Sequence, residues 1–362
     1  MKTLFVGDIC PTECTSESFA AVDMNTLFGN TLSLFEGKDF AFANLECAIT
    51  ESENKIKKFG PNLKAPKGTA NVLKNLGINV AGLSNNHVFD FGKEGAIDTL
   101  KALSEVGVDC TGFGENYTDS RKNYVFEKDG ETLCLITVCE HEYSYALEDR
   151  MGSRPFDEFE TLEDIRAAKA KYNRVIVAYH GGKEQCEYPS PRLVRACRAM
   201  ARAGADVILG QHSHCIGVYE LYEGSHILYG QGNFHFVCTS KWANWTTGLV
   251  VCYDTKTGEI EFTPVKQKED LSGIALVEGA EKTEVMAKFK ALADSMQDGT
   301  WKDGWHDFCM MVKDGYLNNI NRACREDSTE RENAIFAHNL DCEAHHDVIT
   351  ELFPTYNATN EK

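Results

Sequence analysis

The stretch Arg174-Val175-Ile176-Val177-Ala178-Tyr179-His180-Gly181-Gly182 indicates the fold class of this 362-residue chain. Its continuous apolar run predicts a buried β-strand, since short apolar runs bounded by glycine are typical of such strands. His180 stands at the end of that strand, and the two glycines after it permit close approach of the backbone to a ligand. The segment therefore predicts a strand whose end presents a functional imidazole.

Four further segments have the same pattern, a short apolar run followed at once by polar residues. They are 4–6 before Gly7-Asp8, 40–43 before Asn44-Leu45-Glu46, 80–83 before Ser84-Asn85-Asn86-His87, and 207–209 before Gly210-Gln211-His212-Ser213-His214. Open α/β sheets bind ligands at one rim, and these side chains are expected to converge there. Mixed oxygen and nitrogen donors suit divalent metals, including zinc, manganese and iron.

The order of the segments predicts an α/β protein with a helical extension. Apolar strands alternate with helical stretches (67–76, 94–105, 156–171 and 191–203) up to about residue 265, which is typical of layered βαβ proteins. Close-spaced strand patterns at 124–126, 133–138, 226–229, 248–254 and 260–264 predict a second sheet packed on the first. Helical patterns at 285–293, 305–323 and 333–353 follow. We predict a domain over 1–270 and a helical C-terminal extension over 271–362.

Composition excludes several classes of protein. Hydrophobic residues make up 43% and charged residues 25%, as in ordinary globular proteins, and the formal net charge is −18. That charge argues against nucleic acid as a partner and against docking on anionic lipid. The fourteen cysteines are scattered without a CxxC pair, which favours reduced thiols. No segment has the apolar length of a membrane span, so we expect no span and a cytoplasmic location.

Each candidate ligand also has an ordinary structural interpretation. Asp8 can be a turn or cap residue, and Glu46 a solvated loop charge. Asn86 can cap a helix beside a satisfied core histidine, His87. Asp90 can orient His87 by accepting its second ring N–H. Together, however, the five segments supply enough donors for two metal ions.

The positions of the remaining histidines predict different roles for them. In an extended segment, the i, i+2 spacing of His212 and His214 directs both rings to one face, within reach of two neighbouring metals. His338, His345 and His346 lie in the helical extension and are expected on the surface without a role. His141 with Glu142, and His235, are weaker candidates for the rim of the site.

The whole series resembles the calcineurin-like metallophosphoesterase superfamily, and more closely its CapA-type poly-γ-glutamate capsule-synthesis branch. The resemblance covers roughly residues 1–265 and includes Asp90-Phe91-Gly92, His180-Gly181-Gly182-Lys183-Glu184 and Tyr229-Gly230-Gln231-Gly232-Asn233-Phe234. It implies a layered sandwich of two β-sheets flanked by helices. It also implies two divalent metal ions, drawn from manganese, iron, zinc or magnesium.

The resemblance also implies roles for individual residues. Glu46 would bridge the two metals. One metal would be completed by Asp8 and His214, and the other by Asn86, His180 and His212. His87 would act on the leaving group, and Asn233 would bind substrate. Cys10 stands where the wider superfamily has a histidine, and we expect an inert thiol there.

Three functions are compatible with these residues. The first is a metal-dependent phosphatase or phosphodiesterase, in which two cations activate water and clamp the phosphoryl oxygens. The second is a non-hydrolytic, metal-binding component of polyglutamate or related polymer synthesis. The third is a two-metal hydrolase of amide or γ-glutamyl bonds. All three predict an anionic small molecule or polymer as the partner, because metal cations make a pocket locally positive.

Overall fold

Two large β-sheets form the centre of the protein in a computed structural model that describes residues 1–140 and 143–354. The first sheet has eight strands: β1 (Lys2–Ile9), β2 (Phe40–Leu45), β5 (Val80–Gly82), β6 (Asp109–Thr111), β15 (Asn233–His235), β16 (Thr247–Asp254), β17 (Ile260–Gln267) and β18 (Ile274–Leu276). Its order is β18-β17-β16-β1-β2-β5-β6, and β15 also pairs with β1.

The second large sheet has six strands: β8 (Tyr124–Lys128), β9 (Glu131–Cys139), β11 (Arg174–His180), β12 (Val207–Gln211), β13 (Tyr219–Tyr222) and β14 (Ser225–Leu228). Its order is β13-β14-β12-β11-β9-β8. Two short pairs complete the strands, β3 (Ala48–Ile49) with β4 (Lys64–Ala65), and β7 (Phe113–Gly114) with β10 (Gly152–Ser153).

Helices cover the outer faces of the sheets and form the C-terminal region. They are α1 (Ser16–Ala21), α2 (Met24–Phe28), α3 (Gly68–Leu76), α4 (Gly92–Val106), α5 (Tyr117–Ser120), α6 (Glu158–Lys169), α7 (Pro191–Ala203), α8 (Gly279–Asp298), α9 (Trp301–Ala323), α10 (Glu330–Asp341) and α11 (Glu343–Leu352), with 3-10 turns at Gly29–Phe35 and Ala243–Thr246. Within the described residues, no helix combines the length and hydropathy needed to cross a membrane.

The core lies in three layers because both sheets are apolar on both faces. Phe5 and Phe42 of the first sheet pack in one cluster with Ile176 and Leu209 of the second. Further buried clusters fill the space between the first sheet and α3–α4, and between the second sheet and α6–α7. The predicted α/β sandwich of two sheets flanked by helices, with a helical C-terminal region, is therefore confirmed.

Strand positions followed the apolar pattern, but membership of the sheets did not. We expected all the later strands to form one second sheet. Instead, β8, β9 and β14 lie in the second sheet, whereas β16 and β17 extend the first sheet by antiparallel pairing beside β1. Apolar patterning identifies strands but not their partners, which long-range packing selects. The predicted helix at 333–353 is in fact two helices, α10 and α11, separated at Cys342.

Candidate metal centre

The ends of neighbouring parallel strands bring the first two carboxylates together. Asp8 pairs in register with Asn44 of β2, and Glu46 follows β2 directly. The Asn44 amide donates to Asp8 Oδ1 at 2.8 Å and lies 3.2 Å from His180 Nδ1, so it links the two sheets. Both carboxylates are fully buried. Turn or solvated-loop roles for Asp8 and Glu46 are therefore excluded by their surroundings.

Glu46 lies at the centre of the candidate site. Its Oε1 is 3.6 Å from His180 Nε2 and 3.7 Å from His214 Nε2. Neither carboxylate oxygen has a hydrogen-bond partner among the described residues. Burial, and then the neighbouring Asp8 charge, raise the pKa of Glu46 well above its usual value. A buried carboxylate without donors is a costly arrangement unless a cation compensates it.

The three predicted imidazoles surround this carboxylate. The His180 and His212 ring centroids are 4.9 Å apart, and those of His212 and His214 are 5.7 Å apart. The expected extended conformation after β12 is wrong, because His212 and His214 have φ values of 80° and 55°. The left-handed backbone is unusual for residues other than glycine and is typical of functional sites. The His212 backbone N–H donates to Asp8 Oδ2 at 3.2 Å, which holds this turn against β1.

These side chains fit a metal site by geometry and by protonation. Asp8, Glu46 and His180 offer ligand atoms within 4.8 Å of one another, and so do Glu46, His212 and His214. Burial, and then the two neighbouring imidazoles, hold the pKa of His212 well below its usual value, so its ring is neutral and can ligate. Buried His, Glu and Asp groups here can hold a metal ion. The number, identity and partition of ions stay predictions.

Asn86 and Asn233 each contact one of the imidazoles. Asn86 Oδ1 lies 2.9 Å from His180 Nε2. Asn233 Oδ1 lies 2.9 Å from His214 Nδ1, and its amide donates to the Trp245 carbonyl at 3.0 Å. With Nδ1 bonded to Asn233, His214 presents Nε2 towards Glu46. Direct contact of Asn233 with substrate stays a prediction.

His87 lies beside the carboxylate that was predicted to orient it. His87 Nδ1 is 2.7 Å from Asp90 Oδ2, and both residues are buried. Lys58, which the sequence analysis missed, also forms an ion pair with Asp90, and its Nζ is 3.1 Å from His87 Nδ1. Burial, and then Lys58, lower the pKa of His87, whereas Asp90 opposes this shift. Lys58 lies in a loop without strand or helix periodicity, so the sequence carried no signal for it.

Two other amides and one thiol complete the surroundings. The Asn85 amide donates to the Leu45 carbonyl at 2.8 Å, and its Oδ1 accepts the His87 N–H at 3.1 Å. Asn44 and Asn85 therefore support the ligands. In the sequence, only their positions near Glu46 and Asn86 pointed to this role. Cys10 is buried, and burial and Cys47 raise its pKa well above the usual value. The inert role of Cys10 stays a prediction.

The C-terminal helices cover the opening of this site. A cavity of about 80 Å³ is lined by Asn86, His87 and His212 on one side and by His338 and His345 on the other. Ligand pockets are typically about 300–1,000 Å³, so this cavity is small. The expectation that His338 and His345 are surface residues is therefore wrong, whereas His346 is exposed as expected. An amphipathic helical pattern does not reveal which part of the protein its apolar face covers.

The weaker rim candidates have different outcomes. His141 and Glu142 lie outside the described residues. His235 is fully buried, and its ring centroid is 4.8 Å from that of Phe19 and 5.1 Å from that of Phe28. It is a core residue rather than a rim residue. Burial lowers the pKa of His235 to about 3.

Comparison with known proteins gives the family. Residues 2–237, more than half of the chain, match the family described as bacterial capsule synthesis protein PGA_cap. The chain belongs to this family. The PGA_cap match includes every ligand candidate described above and ends before the C-terminal helices.

Several curated relatives of this PGA_cap chain are named for capsule or polymer synthesis. It is 30% identical to the PGA biosynthesis protein CapA of Bacillus subtilis, over 73% of this chain and 71% of that protein. It is 29% identical to the capsule biosynthesis protein CapA of Bacillus anthracis, over 73% and 67%. A hypothetical protein from Thermus thermophilus, solved by crystallography, aligns with a TM-score of 0.45 and 16% identity, over 73% and 98%.

Proposed function

We propose that this PGA_cap protein is a metal-dependent hydrolase of phosphatase or phosphodiesterase type that acts in polyglutamate capsule synthesis. One observation carries most of the weight: the buried Glu46 carboxylate has no hydrogen-bond donor among the described residues and is flanked by three imidazoles. A purely structural role gives no reason to bury an uncompensated carboxylate. A pair of cations compensates it.

Six side chains would hold the two ions: Asp8, Glu46, Asn86, His180, His212 and His214. When bound, the cations supply Lewis-acid activation of water and of the scissile group. The Asn233 carbonyl oxygen lies 2.9 Å from His214 Nδ1 and can accept its N–H, whereas the Asn44 amide nitrogen lies 3.2 Å from His180 Nδ1 and positions that ring. This support keeps the Nε2 atoms directed at the centre.

His87 would assist the leaving group. Its Nδ1 is engaged by Asp90, which fixes the ring and leaves Nε2 to receive or deliver a proton. Lys58 adds a positive charge next to His87. An anionic group in the cavity would offset that charge, favour the protonated ring, and so prepare it as an acid. Lys58 therefore also favours an anionic substrate.

Hydrolysis of γ-glutamyl amide bonds is the second candidate. It is favoured by the names of the Bacillus relatives, which refer to PGA and capsule biosynthesis. Activated water and a polarised carbonyl suit an acyl substrate as well as a phosphoester. A non-hydrolytic role in polymer synthesis requires the same binding site without turnover.

The test is turnover of an activated phosphodiester and of γ-glutamyl peptides by the full chain with added Mn²⁺. We expect His87→Gln to lower kcat/KM about 10²–10⁴-fold while metal binding is retained. His212→Ala should lose both activity and metal. His346→Ala is the matched control, because His346 is exposed in the C-terminal region.

The outcomes separate the three functions. Phosphodiester turnover lost in His87→Gln supports the proposal, whereas turnover of γ-glutamyl peptides alone supports the second candidate. Binding of polyglutamate with metal present, but no turnover of either substrate class, identifies the non-hydrolytic role. Equal rates in wild type, His87→Gln and His212→Ala would exclude hydrolysis at this site.

A further inference from the structure

A second group of metal-binding side chains lies in the C-terminal helices. His338, Cys342 and His345 offer ligand atoms that are all within 4.8 Å of one another. All three lie beyond residue 237, where the family match ends. None of them belongs to the strand-end centre, which consists of the six candidate ligands Asp8, Glu46, Asn86, His180, His212 and His214. His338 and His345 also line the cavity over His87 and His212.

The break between α10 and α11 brings the three side chains together. His338 is in the last turn of α10, and its carbonyl accepts the Cys342 backbone N–H at 2.9 Å. Cys342 has φ −80° and ψ 121°, so it ends one helix and precedes the next. His345 follows in the first turn of α11. A continuous helix would place positions 338, 342 and 345 along one face, but the break turns them towards one point.

We propose that His338, Cys342 and His345 bind a divalent cation of the zinc type, at a site separate from the strand-end centre. A thiolate with two imidazoles is a donor set that favours zinc over magnesium, calcium or manganese. Among the described residues, this group supplies three ligands, and its two histidines line the cavity that also contains His87.

The surroundings of each ligand suit this chemistry. His345 Nδ1 is 2.6 Å from the Tyr316 hydroxyl, which leaves Nε2 to ligate and matches the outer hydrogen bond usual for metal-bound histidine. Burial, and then Lys183, hold the pKa of His345 well below its usual value, so the ring is neutral. Cys342 directly precedes α11, and the N-terminal end of a helix stabilises negative charge.

Binding would join the C-terminal helices to each other and hold them over the cavity. The Cys342 thiol gives up its proton to solvent as the sulfur–metal bond forms, so uptake releases a proton. His338 also packs against Tyr143 and Phe59, with ring centroids 5.4 and 5.6 Å apart. All three ligands lie in α10, in α11 or between them, so the ion would hold these two helices together at their junction.

Cobalt absorption provides a readout that does not depend on activity. The protein is first reduced and treated with chelator, and Co²⁺ is then added. Because the strand-end ligands contain no cysteine, a thiolate-to-cobalt charge-transfer band reports only an ion that is bound to sulfur elsewhere. We expect Co²⁺, added in excess so that the strand-end ligands are also filled, to produce this band in the wild type. Cys342→Ser should abolish it, whereas Cys324→Ser, an exposed cysteine of the same region, and Cys10→Ser should retain it.

Glu46→Gln separates this site from the proposed function. If the band persists in Glu46→Gln while Mn²⁺ binding is lost, the two sites are independent as proposed. Absence of the band in the wild type, or its persistence in Cys342→Ser, overturns the C-terminal site and leaves the strand-end proposal intact. If Cys342→Ser does not fold, X-ray absorption of the zinc-loaded wild type decides. A sulfur shell at about 2.3 Å supports the site, and its absence refutes it.

Discussion

Glu46→Gln should be more stable than the wild type in chelator and less stable than the wild type in excess metal. The substitution keeps the size of the side chain but removes an ionisable group that is fully buried beside Asp8 and whose pKa is raised well above its usual value. Folding in chelator must either protonate this carboxyl group or bury its charge, and each unit by which the pKa rises costs about 1.4 kcal/mol. In chelator, Glu46→Gln should therefore be more stable by at least about 1 kcal/mol, which raises Tm by about 1 °C or more.

The metal-loaded protein should behave in the opposite way. A ligand at about 100 times its Kd stabilises the wild type by about 2.7 kcal/mol per site. Without the shared carboxylate, Glu46→Gln should lose most of that gain. We expect its Tm to lie above that of the wild type in EDTA and below it in excess Mn²⁺.

Differential scanning calorimetry in the two buffers, with metal content determined on the same samples, measures both effects. Glu51→Gln is the control, because it carries the same chemical change at an exposed position five residues away. An equal Mn²⁺-dependent shift in Glu46→Gln and wild type would show that Glu46 is not a ligand. A lower Tm of Glu46→Gln in EDTA would refute the reasoning about the buried charge.

Three further variants test other parts of the structure. Asn233→Ala should weaken metal binding about 10–100-fold, since it removes the partner of His214 Nδ1; unchanged affinity in isothermal titration would contradict this role. Because the pKa of His235 is about 3 in the fold and about 6.5 when unfolded, the unfolded chain binds more protons between these values. Wild type in EDTA should thus lose about 2 kcal/mol more stability than His235→Phe from about pH 7 to about pH 5, and parallel losses in thermal unfolding would refute it. Asp347→Asn weakens the partly buried ion pair with Arg192, whose Nε is 3.0 Å from the carboxylate, and should weaken the packing of α11 on the rest of the protein by about 1–3 kcal/mol. The backbone amides of α11 should exchange hydrogen faster in the variant than in the wild type. Identical protection in the two proteins would show that this ion pair does not hold α11 in place.

Local sequence patterns predicted much of the fold because they depend on near neighbours. The apolar runs located β1, β2, β5, β11 and β12, and glycines 77, 107 and 204 correctly marked helix ends, each with a left-handed backbone. The sheet to which β16 and β17 belong was predicted wrongly. Strand pairing depends on contacts between residues far apart in the chain, and no local pattern records them.

In the candidate site too, local patterns revealed some residues, whereas others became apparent only in the folded structure. Asp8, Glu46, Asn86 and the three imidazoles were identifiable because polar residues follow buried strands. Lys58 was not, because its loop has no periodic pattern and reaches His87 only through the fold. The bend at 212–214 was also missed, since nothing local requires left-handed backbone in histidine.

The chain's own sequence determined the layered α/β class, the set of donors and the helical character of the C-terminal region. Side-chain chemistry and short-range periodicity are properties of the sequence itself. Only the tertiary structure decided that Glu46 is buried without a hydrogen-bond donor among residues 1–140 and 143–354, that Lys58 contacts His87 and Asp90, and that His338 and His345 line the cavity. These features arise from contacts across the two sheets and the C-terminal helices, which form only when the whole chain packs.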